Sequence, residues 1–73
     1  MPDKISLKAA RVNAGLTQKE AGEKIGVDTG TIRSWEQGES EPRISQAYAI
    51  AELYGIPLDS IIFFTRNLAK SEN

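Results

Sequence analysis

Seventy-three residues make one domain, and a 40% hydrophobic content supports a modest core while arguing against a disordered chain. Cysteine and histidine are both absent, which excludes disulfides, thiolate chemistry, histidine zinc sites and histidine general bases. The formal net charge is only −1, but Lys4, Lys8, Arg11, Lys19, Lys24 and Arg33 dominate the first half, and Glu36, Glu39, Glu41, Glu52 and Asp59 the second, so one basic face is compatible with the near-neutral total.

Gly15, Gly26, Gly38 and Gly55 each follow a segment the length of a short helix, as expected of residues that close a last turn in the left-handed conformation. Helix 1 is predicted from Leu7 to Ala14 with Ser6 as its cap. Its inward face is Leu7, Ala10, Arg11 and Ala14. Thr17-Gln18-Lys19-Glu20 reads as a capping box opening helix 2, whose inward face carries Ala21 and Ile25. Gly26-Val27 makes a tight turn, and Asp28 caps helix 3, Thr29 to Gln37, with Ile32 and Trp35 on its buried side. After the loop Glu39-Ser40-Glu41-Pro42, helix 4 is predicted from Ile44 to Tyr54, burying Ala47, Ile50, Ala51 and Tyr54. Pro57 opens a short fifth helix containing Leu58 and Ile61. The run Ile61-Ile62-Phe63-Phe64 has strand-like composition, but no alternation of useful length supports a sheet. The reading is all-α, with one compact domain over residues 1–66 and a frayed polar tail over 67–73.

Two short helices joined by a turn containing glycine define a helix-turn-helix. Ala21 is small enough for helix 3 to cross close over helix 2, and Gly26 lets the chain turn sharply. Ile25, Val27, Ile32 and Trp35 form the apolar seam that fixes the crossing. The opposite face of helix 3 then carries Thr29, Gly30, Arg33, Ser34 and Gln37. These side chains are polar or small, as a face that enters the DNA major groove must be.

The stretch RVNAGLTQKEAGEKIGVDTGTIRSWEQG, Arg11 to Gly38, resembles the Cro/CI, phage repressor-like, helix-turn-helix family, and the resemblance extends through Pro42 and IAELYGIPLDSI. It implies a five-helix, lambda-repressor-like DNA-binding domain in which helices 2 and 3 form the reading unit. It also implies a transcriptional regulator, by default a repressor, bound to double-stranded DNA at a palindromic operator as a homodimer. Half-sites would lie roughly 34 Å apart. By the same resemblance Gln18 contacts a phosphate or a base, and Thr29, Gly30, Thr31, Arg33 and Ser34 occupy the base-reading positions. Arg11 and Glu36 match a partly buried ion pair tying helix 1 to the end of helix 3. Two features depart from the family pattern: Gly30 supplies no side chain for direct readout, and Glu39 and Glu41 stand where relatives often carry basic residues.

Each position also has a plainer reading. Arg33 either grips a guanine edge or is a solvated charge or phosphate contact. Gln18, Thr29, Thr31 and Ser34 could be ordinary caps and surface residues, and Thr17, Lys19, Gln37, Ser40 and Arg43 are the phosphate-contact candidates, Lys19 having the plainer reading of a lysine on a solvated face. Trp35, three residues from Ile32, reads as core rather than a base-stacking platform. Ile62, Phe63 and Phe64 are divided between closing the core and forming an apolar patch for association. No nucleophile–base pair, phosphate-cradling glycine loop or metal-ligand cluster is visible, so no enzyme, cofactor, metal site or small-molecule ligand is expected. No apolar run approaches the roughly 20 residues of a membrane helix, and Met1-Pro2-Asp3-Lys4 does not lead into a signal-peptide core. The expectation is a cytoplasmic protein without a membrane partner. The competing functional reading is a protein-interaction module, an antirepressor or antitoxin, suggested by the acidic stretch Glu36 to Glu41.

Overall fold

A computed structural model of the chain describes residues 4–63. Its elements run β1 (Ile5–Ser6), α1 (Leu7–Asn13), α2 (Gln18–Ile25), α3 (Thr29–Gln37), α4 (Ile44–Tyr54), a 3-10 turn (Leu58–Ser60) and β2 (Ile61–Ile62). Phe64 and the tail expected over 67–73 lie outside the described residues.

The helix starts follow from local chemistry. The Ser6 hydroxyl accepts from the Ala9 N–H at 3.1 Å. The capping box of α2 is complete. The Thr17 hydroxyl accepts from the Glu20 N–H at 3.0 Å, and the Glu20 carboxylate from the Thr17 N–H at 2.9 Å. Each bond satisfies an amide that the helix itself cannot. Asp28 stands at the start of α3 with extended backbone, yet its side chain makes no capping hydrogen bond. Its main-chain carbonyl instead accepts the first helical N–H groups, from Thr31 and Ile32. Helix α1 ends one residue before the expected Ala14, which caps it and is exposed rather than inward-facing.

The core gathers Leu7 and Ala10 of α1, Ala21 of α2, Ile32 and Trp35 of α3, and Ile50, Ala51 and Tyr54 of α4. Ile25, Val27 and Leu16 pack against it from the flanks. Trp35, 4% exposed, is core, in keeping with its spacing from Ile32. Among the described residues no helix is long and apolar enough to cross a membrane.

The expected fifth helix is not formed, and the described residues contain four α-helices. Pro57 is extended, only one 3-10 turn follows, and Ile61 returns to extended backbone at φ −91° and ψ 132°. Ile61 and Ile62 then pair in parallel with Ile5 and Ser6, in the register Ile5–Ile61 and Ser6–Ile62. The reason is physical. Paired β-branched residues favour a pleated surface, and the segment before α1 offers an unpaired edge. Lys4 reinforces this junction by donating to the Asp59 carbonyl at 2.7 Å. Ile61 completes the core, Phe63 packs against it, and Ile62 points outward at 47% exposure.

A close approach between α2 and the turn that leads into α3 falls on Gly22, one residue beyond the Ala21 that the sequence singled out. Gly22 is buried, and a methyl group built on it would stand 2.6 Å from the Val27 carbonyl oxygen. Its own carbonyl accepts from Gly26 and Val27, at 2.7 and 2.8 Å. Gly26, at φ 94°, makes the left-handed reversal that these bonds close. The neighbour is backbone and cannot step aside as a flexible side chain would. Gly22→Val is therefore expected to destabilise the fold by about 1–3 kcal/mol or more, read as a lower midpoint in urea. An unchanged midpoint would show that the turn has room the structure does not give it.

Candidate nucleic-acid interface

Helix α3 is amphipathic in a way that defines a face. Ile32 and Trp35 are buried, whereas Gly30, Arg33, Ser34 and Gln37 recur at i, i+3, i+4 and i+7 along its other side. Gly30, Arg33 and Gln37 are exposed, and Ser34 is half-buried. Thr29, exposed, and Thr31, half-buried, lie on the two flanks of that strip. No atom lies within 4 Å of a methyl group built on Gly30, so the strip has an open notch there.

The second part of the face is the start of α2, which a buried polar cluster ties to α3. Arg11 Nε donates to Glu36 Oε2 at 2.6 Å and Nη2 to Glu36 Oε1 at 3.2 Å. The two side chains are only 9% and 5% exposed. This is the bidentate fork that guanidinium and carboxylate favour. Arg11 Nη1 donates to the Leu16 carbonyl at 2.9 Å, while the Leu16 N–H donates to the Arg11 carbonyl at 3.2 Å. Gln18 Nε2 donates to Glu36 Oε1 at 3.0 Å. Sequence reasoning anticipated the ion pair and missed the bond to Gln18. The signal was indirect, a glutamine at the first position of a helix whose neighbours are fixed by the same carboxylate.

Charge in this cluster is held firmly. The hydrogen bond that Arg11 donates to Glu36 raises the Arg11 pKa further, against the opposing pull of burial. Tyr54 of α4 feels both groups. Burial raises its phenol from 10.0 to about 12, the Glu36 charge adds to the rise and the Arg11 charge opposes it.

The remaining candidates are placed as follows. Thr17 and Lys19 flank Gln18 and are exposed. The Thr17 oxygen is occupied as an acceptor by its cap, which leaves its proton to donate elsewhere. Ser40 is exposed beyond α3, and Arg43 is exposed at the start of α4, where its N–H donates to the Gln46 side chain at 2.8 Å. Glu39 and Glu41 are exposed in the same connection.

Removing one partner of a buried pair strands the other charge, at a cost of about 3–5 kcal/mol. A domain this small has about 3–5 kcal/mol in total. Glu36→Ala is therefore expected to leave much of the chain unfolded at 25 °C by circular dichroism. An unaltered melting curve would remove the pair from this account. A second expectation concerns pH. Between pH 10 and about 12 the folded chain keeps the Tyr54 proton, whereas the unfolded chain releases it. Stability contributed by the neutral phenol is therefore present below pH 10 and lost as pH rises through that window. Tyr54→Phe should show a shallower alkaline decline than the parent chain, and superimposable profiles would refute the burial of that phenol.

Comparison with known proteins agrees with this geometry. The helix-turn-helix family profile matches residues 7–61. An uncharacterized HTH-type transcriptional regulator of Methanocaldococcus jannaschii is 33% identical over 61 residues, covering 84% of this chain and 92% of that protein. The HTH-type transcriptional regulator ImmR of Bacillus subtilis is 32% identical, over 77% of this chain and 44% of its own length. The cryptic phage CTXphi transcriptional repressor RstR of Vibrio cholerae is 29% identical, over 77% of this chain and 50% of its own. The chain thus spans nearly all of the first relative and about half of the other two. No solved structure matches it. The capped α2, the left-handed turn at Gly26 and α3 with its free polar strip fall within the matched span, and the chain belongs to the Cro/CI type of the helix-turn-helix family, a family of DNA-binding transcription regulators.

Proposed function

We propose that this protein represses transcription by occupying a palindromic operator as a homodimer, with α3 of each subunit in the major groove. The observation that carries the reading is the strip Gly30, Arg33, Ser34 and Gln37, held clear of the core by buried Ile32 and Trp35. In this arrangement Arg33 reads a guanine edge, Thr29, Thr31 and Ser34 make the shorter base contacts, and Gly30 lets the backbone come close where it offers no side chain. Gln18, with Thr17 and Lys19, lies against the phosphates beside the start of α2, and Gln37, Ser40 and Arg43 extend the backbone contacts.

A protein-interaction role, as an antirepressor or antitoxin, is the second reading. Its support is the exposed Glu39 and Glu41 together with Ile44 and Tyr48 of α4, 68% and 60% exposed.

Titration of the chain against DNA from upstream of its own gene and a shuffled duplex, at several salt concentrations, separates the two. The operator reading requires binding that weakens as salt rises and favours the native duplex about a thousandfold. Absence of any DNA affinity at low salt, with a stable complex to another protein, would replace it with the second reading. Arg33→Ala is expected to lower discrimination at a single base pair by about 1–3 kcal/mol. A uniform loss over all duplexes would reassign Arg33 to a phosphate.

A further inference from the structure

We infer that Glu36 is a positioning residue for DNA binding, acting through Gln18. The inference rests on the DNA-binding reading above and deepens it. Glu36 lies at the buried end of α3 and cannot itself reach DNA, since its side chain is 5% exposed. Its Oε1, however, accepts from Gln18 Nε2 at 3.0 Å while sharing Arg11 Nη2 at 3.2 Å. A carboxylate only accepts, so the Gln18 amide must turn its nitrogen, not its oxygen, towards Glu36. One of the two amide hydrogens is thereby committed. The other makes no further hydrogen bond among the described residues, and Gln18 is half-buried at the first position of α2.

This gives the free protein an ordered donor at the start of α2. A long exposed glutamine would lose rotamer freedom on meeting a phosphate, whereas a glutamine already held by a buried carboxylate loses little. Arg11 completes the device. It orients Glu36 through two bonds and fixes the turn before Thr17 through Leu16. The route from Arg11 through Glu36 and Gln18 to a DNA phosphate connects the core of the fold to the α2 side of the interface. Lys19 contacts the backbone independently of it.

The test must remove the acceptor without stranding Arg11. Replacing both members of a buried pair with apolar residues of similar volume is commonly tolerated, so the background is Arg11→Met with Glu36→Met. The probe is a duplex selected from random-sequence DNA by the parent chain. In the parent, Gln18→Ala is expected to weaken binding about tenfold, the scale of one charge-assisted hydrogen bond. In the double-methionine background the same change should cost less than about twofold, because the positioned donor is already lost. Lys19→Ala should cost the same in both backgrounds. An equal loss from Gln18→Ala in both would overturn the inference.

A second measurement needs neither the variant fold nor DNA. The Gln18 side-chain amide should be as rigid as the backbone by 15N relaxation in the free protein, and the exposed Gln37 amide mobile. A Gln18 amide as mobile as Gln37 would also overturn the inference. Failure to select any duplex with a rigid Gln18 would count instead against the DNA reading.

Discussion

The fold turns on one buried carboxylate. Glu36 holds Arg11 through two bonds and Gln18 through a third, and Arg11 holds the Leu16 carbonyl. The end of α1, the α1–α2 turn, the start of α2 and the end of α3 are thus fixed relative to one another by polar bonds inside a mostly apolar core. Apolar contacts alone are non-directional, and a few small helices can slide on one another at little cost. A buried bidentate pair is directional. Its burial is unfavourable unless every partner is present, so a shifted packing of α1 against α3 is penalised in proportion to how far it pulls the pair apart. In this chain no buried side-chain nitrogen or oxygen among the described residues lacks a partner.

The second constraint is steric and sets the angle of α3. With Gly22 against the Val27 carbonyl and Gly26 left-handed, the chain reverses tightly between α2 and α3. Ala21, with 0% exposure, lets the helices approach closely beneath. Ile32 and Trp35 are consequently drawn inward, and the polar strip of α3 follows on the far side by helical periodicity alone. The orientation of the proposed reading strip therefore depends on residues that never touch DNA.

Most of this was legible in the sequence because it is local. The caps Ser6 and Thr17, the bounds of α3 and α4, and the buried set Ala47, Ile50, Ala51 and Tyr54 follow from short-range rules of capping and periodicity. What the sequence hid was non-local. The pairing of Ile61 and Ile62 with Ile5 and Ser6 joins segments more than fifty residues apart, and a two-residue strand has no alternation to detect. The bond from Gln18 to Glu36 crosses from one helix to the end of the next, where side-chain spacing says nothing. Gly22 escaped for another reason. A glycine inside a helix reads as a weak point until the carbonyl opposite is seen.

Charge gives the proposed positioning its weight. Its sequence pI is about 5.3, and Glu39 and Glu41 stand exposed in the connection that also carries Arg43. Most DNA readers draw affinity from counterion release by many cations. The proposed interface offers three cations, Lys19, Arg33 and Arg43, with two carboxylates close in sequence to the last of them. In that proposed interface the long-range attraction is weak, and neutral donors that are already oriented supply a larger share of the contact energy. Thr17, fixed by its capping box, and Gln18, held by Glu36, are such donors. An oriented neutral donor adds little to the attraction for arbitrary anions and contributes only when a phosphate sits at the right distance. In the proposed interface, discrimination rests on fit more than on charge, and selectivity on the rigidity of the start of α2 as much as on the side chains of α3.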